Sequence, residues 1–375
     1  MLIQRNNDVI FGRSDLEHLH TFPAFPVFMG CTSADRSADL TSDMSFWVSR
    51  GSGMIQLNPL LPLDVLYPEA HGAGLVGRAW SIHHNSLAQF IGRFKPASVL
   101  EVGGAHGILA ENYQSIAAIP WTIVEPNPTP VSGCKARIIK GFFDEKFQLD
   151  EVVDAVVHSH VFEHMYDPSM FVEHLAGFLA PGKKLIFSVP NMRVMMDRKY
   201  TNCLNFEHTV FLTEEYIEHL LTRHGFRVIE REYFQDDHSI FYAAVRDPGV
   251  AAAEIPASAY QRNRDAYLAY VEEHLKLIRS VNEEIRGRSD VFLFGAHAQG
   301  QYLIGFGLDT DSIEAVLDND KNKHGKRLYG TDKTVHGPEI LAGCKEPTVI
   351  VRAGTFTREV VEQIRTINPS ARFLL

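Results

Sequence analysis

Cysteine is scarce and scattered in this chain. Cys31, Cys134, Cys203 and Cys344 stand far apart, and no C-x-x-C pair exists. That excludes both a thiolate zinc knuckle and a disulfide framework, and a reducing, cytoplasmic setting is expected. Long apolar runs are also missing. No segment approaches the ~20 apolar residues that span a bilayer. The first residues, MLIQRNNDVIFG, lack the apolar core of a secretion signal. Positive charge is in deficit, with 36 Lys and Arg against 46 Asp and Glu, a formal net charge of -10. The isoelectric point is near 6.0. Such a chain has no bulk attraction for nucleic acid or an anionic membrane, so neither is expected as a partner. What the sequence does have is core material. It is 45% hydrophobic over 375 residues, enough for two or three domains.

One stretch organises the rest: Ala97 to Leu109, ASVLEVGGAHGIL. Val99 to Val102 predicts a buried strand, Gly103, Gly104 and Gly107 a tight turn, and Ile108 to Ala118 a helix. A strand, a glycine turn and a helix form a nucleotide-binding opening. The glycines let the backbone approach a ligand, and the helix start presents unpaired N–H groups. A second strand, Trp121 to Val124, ends in Glu125, where a carboxylate meets ribose hydroxyls in such folds. A third strand pattern, Val152 to His158, has Asp154 in front of its apolar run. A dinucleotide-binding dehydrogenase fits less well, because its glycines are spaced G-x-G-x-x-G and these are not.

Ahead of this region, residues 1 to about 70 read as short strands with Pro, Gly and Ser turns. Ser45 to Val48 and Met54 to Leu57 flank Ser49 to Gly53 as a hairpin. Tyr67 to Ala79 is a glycine-containing connector, and Trp80 to Phe94 a helix. Strands and helices then alternate to about Val245, the pattern of a parallel doubly wound sheet. Residues 247 to 258 are Ala- and Pro-rich and mark a boundary. Tyr260 to Arg286 is a long amphipathic helix with Tyr267, Val271, Leu275 and Ile278 on one face. A second α/β unit follows. It runs from a strand at Val291 to Gly295 through a helix at Gln301 to Phe306. A strand at Ile313 to Leu317 ends in Asp318, another runs Thr348 to Val351, and a helix at Thr357 to Ile367 closes the unit.

The central motifs resemble the class I S-adenosylmethionine-dependent methyltransferases. The carriers are Glu101-Val-Gly-Gly-Ala-His-Gly107, Glu125 in VEPNP, Asp154 to His164, and the helix end, Pro-Gly turn and strand of Leu179 to Phe187. The order of parts resembles the three-domain sugar C-methyltransferases that act on nucleotide-linked deoxysugars. Val291 to Gly300, Val316 to Asp320, Lys323 to Gly325 and Gly337 to Leu341 match that family's C-terminal domain. The first module departs most. Asp8, Phe11, Ser49 and Ser52 stand where the family has zinc-ribbon cysteines, so no metal is expected.

The resemblance implies an α/β fold of three parts. Residues 1–72 are a small β-rich module, degenerate against the zinc ribbon. Residues 73–246 are the Rossmann-like methyltransferase domain, and 259–375 a second Rossmann-like domain. It implies S-adenosylmethionine as cofactor. The donor-binding set it implies is Glu101, Gly103, Gly104, His106, Gly107, Glu125, Pro126, Phe142, Phe143, His160, Val161 and His164. On the acceptor side, Asn205-Phe-Glu-His208 matches the family's Tyr-x-Glu-His motif with Asn205 in place of tyrosine. That implies Glu207 as a substrate or orienting contact and His208 as the general base. Asp237-His-Ser239 replaces a glycine-rich motif. A metal reading of the H-x-H pair His158 and His160 lacks third and fourth ligands at supporting spacing.

The expected function is methyl transfer to a sugar, nucleotide-linked by the resemblance. Transfer to oxygen or nitrogen of another small polar metabolite and non-catalytic donor binding are the alternatives. The expected partner is a small molecule, and the expected state a monomer or homodimer.

Overall fold

The computed structural model describes residues 2–67 and 78–374. Most of the expected connector, 68 to 77, lies outside the described residues. The first strands, β1 (Leu16–Pro26), β2 (Thr41–Ser49) and β3 (Ile55–Leu57), form an antiparallel sheet in that order. The expected hairpin is present, with Phe46 opposite Leu57 and Val48 opposite Ile55. Its turn needs glycine. Gly53 has φ +73, and a Cβ there would come within 2.4 Å of the Tyr260 backbone nitrogen.

Helix α1 (Arg78–Arg93) leads into the central sheet. Its strands are β4 (Val99–Val102), β5 (Trp121–Glu125), β6 (Arg137–Lys140), β7 (Ala155–Ser159), β8 (Lys184–Pro190), β9 (Phe226–Phe234) and β10 (Ser239–Arg246). Across the sheet the order is β9-β10-β8-β7-β4-β5-β6. Strands β4 to β8 are parallel, and β10 and β9 are antiparallel additions at one edge. Helices α2 (Ile108–Gln114), α3 (Pro168–Phe178) and α4 (Glu214–Arg223) connect them. The run read as the third core strand is the fourth, because Arg137–Lys140 pairs outside β5. That edge strand has no buried residue, so no continuous apolar run betrays it. The strand order reverses between β4 and β7, so the crevice beyond their carboxyl ends is where ligands gather in such sheets.

The long helix α5 (Ala259–Ile285) buries Tyr267, Val271 and Ile278, as its apolar stripe requires. The last unit holds β11 (Val291–Phe294), α6 (Ala298–Gly305), β12 (Ala315–Leu317), β13 (Val335–His336), β14 (Thr348–Val351), α7 (Thr357–Ile367) and β15 (Arg372–Leu374). Its five parallel strands lie in the order β13-β12-β11-β14-β15. A mixed α/β architecture with two Rossmann-like sheets and a small β-rich module is therefore present. One apolar core runs through all three parts, joining Phe22 and Phe46, Leu100 and Phe187, and Tyr302 and Leu303. A second core covers the other face of the central sheet, around Phe90, Ile91, Leu109 and Phe241.

Candidate active site

The glycine turn sits at the carboxyl end of β4. Gly103 has φ +71 and Gly107 φ +65. A Cβ on Gly103 would meet Val161 at 2.7 Å, and one on Gly104 would meet the Glu101 carboxyl carbon at 2.8 Å. The turn is thus packed between β4 and the segment that leaves β7. Glu125, at the end of β5, holds it from the other side. One Glu125 oxygen accepts from Asn127 N at 2.9 Å, the other from Ala105 N at 3.3 Å. His106 Nδ1 pairs with Thr129 Oγ1 at 2.7 Å. Glu101 is buried beneath, accepting from Trp121 Nε1 at 2.7 Å, and burial pushes its carboxyl up to about 8.

Pro126 follows Glu125 directly, and Gly141 N donates to Glu125 O at 3.1 Å. That bond brings the loop of Phe142 and Phe143 to the same edge. Phe142 is 61% exposed there, and Phe143 packs on His174, Phe147 and Phe178.

The segment 160–164 divides the crevice. His160 takes φ +52, a left-handed conformation that costs a non-glycine residue ~1–3 kcal/mol. Its backbone N–H donates to Ser188 O at 3.0 Å, which helps hold it there. Val161 faces Gly103, while Glu163 turns inward, fully buried, with one oxygen 3.0 Å from His160 Nδ1. Burial pushes the Glu163 carboxyl up to about 7 and holds His160 well below the usual imidazole range. The H-x-H pair is split. His158 points into the core against Phe187, ring centroids 4.8 Å apart, with both nitrogens unpaired and its pKa pushed down to about 3 by burial.

On the far side lies the loop of Asn205 to His208. Asn205 Oδ1 accepts from the N–H groups of Glu207 and His208 at 2.7 and 2.9 Å, a side-chain-built turn. Asn205 thus shapes the loop, a role a tyrosine at that position could not fill with its ring. His208 Nδ1 lies 3.3 Å from the Cys203 carbonyl. A carbonyl only accepts, so this contact selects the tautomer with hydrogen on Nδ1 and a lone pair on Nε2. The His164 ring crosses that of His208 at 4.8 Å, and His164 Nδ1 is 2.9 Å from Tyr67 Oη and 3.9 Å from Glu207. The loop is held from both ends of the chain. Leu57 N donates to Thr209 O at 2.8 Å, Arg5 donates to Thr209 Oγ1 at 2.9 Å, and Tyr302 Oη donates to the Leu204 carbonyl.

Glu163 lies within 4.8 Å of ligand atoms of both His164 and His208. The glycine turn and the Glu207–His208 pair therefore flank one segment, 160–164. A third group escaped the sequence reading: His83 on α1 and His238 beside His160. Nothing local marks His83, since its neighbour in space comes from residues 77 and 155 positions away. Neither of its buried nitrogens has a hydrogen-bond partner.

A family profile described as "Methyltransferase domain" matches residues 79–231. The glycine turn, Glu125 and the 160–164 segment all fall inside it. The protein is an S-adenosylmethionine-dependent methyltransferase. S-adenosylmethionine is its cofactor, and the packed glycine turn with a carboxylate at the next strand end is a cradle that fits it. A second profile, "C-methyltransferase C-terminal domain", matches residues 255–374 of this methyltransferase.

Similar solved structures include an O-methyltransferase family protein from Burkholderia thailandensis, 11% identical with TM-score 0.36. That match covers 46% of this chain and 57% of that one, so the chain spans little more than half of that relative. The 1,6-didemethyltoxoflavin-N1-methyltransferase of Burkholderia thailandensis is 13% identical, with TM-score 0.37 over 47% of this chain and 81% of that one. Magnesium protoporphyrin IX methyltransferase from Synechocystis PCC 6803 is 15% identical, with TM-score 0.37 over 46% and 89%. No curated protein matches the sequence. Among the described residues, no helix is long and apolar enough to cross a membrane.

Proposed function

We propose that this methyltransferase acts on a sugar, nucleotide-linked, with His208 as general base and Glu207 orienting the base or the sugar hydroxyls. The carrying observation is the contact of His208 Nδ1 with the Cys203 carbonyl at 3.3 Å, which leaves Nε2 as the proton acceptor. When bound, S-adenosylmethionine supplies an electrophilic methyl group on a positively charged sulfur. The chain's own work is to hold donor and acceptor in line and to take the acceptor's proton. In this reading Gly103, Gly104 and His106 line the amino-acid end of the donor. Glu125 and Pro126 sit at the ribose, and Phe142 and Phe143 follow on the same edge. Glu101 and Gly107 support the turn, and His160, Val161 and His164 close the methyl side toward the acceptor.

Transfer to carbon is supported by the match to a C-methyltransferase C-terminal domain. Carbon must first be acidified by a neighbouring carbonyl. Nε2 would take the proton removed, and the electron pair left on carbon would bond the methyl group as its bond to the donor sulfur breaks and the neutral demethylated donor leaves. Transfer to oxygen uses the same base and is the second reading, since Asn205 stands where the sugar enzymes have tyrosine.

A panel of nucleotide sugars incubated with enzyme and donor should give one product heavier by one methyl group. His208→Ala should lower turnover by about 10²–10⁴-fold, the range of a positioned base, with donor affinity unchanged. Near-normal turnover moves the base to His164 or His160. Loss of donor binding moves His208 into the donor pocket and overturns the assignment.

A further inference from the structure

His83, His160 and His238 come from α1, the end of β7 and the short helix before β10. Each offers a ring nitrogen, and the three atoms lie within 4.8 Å of one another. We propose that these three imidazoles bind one divalent metal ion of the zinc type, a site independent of the sugar assignment. Tetrahedral ligation at ~2.0–2.1 Å spaces nitrogens about 3.3 Å apart, so closing on an ion takes only small side-chain rotations. An all-imidazole set selects zinc, cobalt, nickel or copper over the oxygen-seeking magnesium and calcium.

Four further observations point to a ligand. His83 is 0% exposed, and both its nitrogens lack hydrogen-bond partners. A neutral imidazole always carries one N–H and one lone pair, and a metal ion would use the lone pair. Next, the Ser239 hydroxyl lies 2.8 Å from His160 Nε2 and 2.7 Å from His238 Nδ1. These two nitrogens thus converge on one point, and the hydroxyl or a water there completes four-coordination. Third, the buried Glu163 oxygen stands 3.0 Å from His160 Nδ1, the far side of that ring. A carboxylate behind a ligating imidazole fixes its orientation and raises its basicity. Fourth, Trp80 closes one side, its ring 4.9 Å from His160 and 5.0 Å from His238.

The site lies on the carboxyl edge of the sheet, since Ser239 pairs with Pro190 at the end of β8. The neighbouring set of Glu163, His164 and His208 is also within 4.8 Å. There the two Nδ1 atoms already pair with Tyr67 Oη and the Cys203 carbonyl.

The test is titration of chelator-treated full-length protein with Co(II). One equivalent should bind, giving the visible bands of a tetrahedral nitrogen site, and Zn(II) should displace it. Glu163→Gln should weaken binding about 10–100-fold, the usual loss of an outer-shell partner. His160→Gln and His238→Gln should weaken it by more. Zinc-edge X-ray absorption on the unaltered protein should show three imidazoles and no sulfur, which serves where a variant fails to fold. The proposal is overturned if no cobalt bands appear, if a sulfur shell is found, or if His238→Gln keeps the metal while His208→Gln loses it.

Discussion

Two carboxylates of the glycine turn have opposite tasks, and their surroundings set them apart. Glu125 is half-buried at the end of β5, and its two oxygens already take backbone N–H groups of Ala105 and Asn127. A carboxylate has about four acceptor positions, so it retains capacity for the two ribose hydroxyls assigned to it. Glu125→Ala should weaken donor binding by about 1.5–3 kcal/mol, the worth of charge-assisted hydrogen bonds. Calorimetry finding unchanged affinity would remove Glu125 from the donor site.

Glu101 is fully buried, and burial raises its pKa to about 8 against the partial relief of the Trp121 bond. Its folded pKa lies above the unfolded value near 4.3. Its contribution to stability is therefore complete below about pH 4 and is lost as pH rises through about 8. Denaturant midpoints of the wild type minus those of Glu101→Gln should fall between pH 5 and 9. A flat difference would mean that Glu101 is already ionised in the folded chain.

At the scale of elements, the first module is tied together by hydrogen bonds around Asp8. Ser52 Oγ donates to Asp8 Oδ1 at 2.8 Å, Phe11 N donates to Asp8 Oδ2 at 2.9 Å, and Ser52 N donates to Ser49 Oγ at 3.0 Å. Asp8, Phe11, Ser49 and Ser52 are thus linked through these bonds. Asp8 is 2% exposed, so its removal strands a buried hydroxyl and a backbone N–H. Asp8→Ala should cost about 1–3 kcal/mol in urea unfolding. A smaller change would show the hairpin to be held by packing alone. The loop of Asn205 to His208 is built on the same logic. Tyr302 of α6, Leu57 of β3 and Arg5 grip residues 204 and 209, so the His208 position depends on the first and last parts of the chain.

At the scale of the molecule, the first and last parts are joined directly as well as through the loop. Arg327 makes two parallel bonds of 2.7 Å to Asp39, and Gly330 N adds a third at 2.8 Å. The pair is largely shielded, with side chains 13% and 5% exposed. Phe22 packs edge-on and Phe25 tilted against Tyr302, and a Cβ on Gly305 would meet Phe25 at 2.8 Å. With one core continuous through three sheets, Arg327→Ala should lower the midpoint of a single transition by roughly 1–3 kcal/mol, the cost of an unmet buried acceptor. Two separated transitions in the variant would show that the parts unfold independently.

Elements whose chemistry is local were legible before any fold was known. The strand at Val99 to Val102, its glycine turn and Glu125 follow from apolar runs, positive-φ glycines and a carboxylate at fixed spacing. Helix Ala259–Ile285 follows from its apolar stripe, and the hairpin around Gly53 from turn chemistry. Edge strand Arg137–Lys140 was not legible, because solvent on both its faces erases the buried-run signal. Nor was the fate of His158 and His160, two residues apart. A regular strand would send both to one face. His160 lies just past the end of β7 with φ +52, and that left-handed turn parts it from His158, which stays in the core.

What only the tertiary structure decided is which distant side chains meet. His83 and His238 join His160 from 77 and 78 residues to either side of it in sequence. His208 owes its tautomer to a carbonyl five residues back in an irregular loop. Sequence patterns report periodicity and local spacing, which decide elements. Convergence of side chains is set by sheet order and crossovers, which leave no periodic trace.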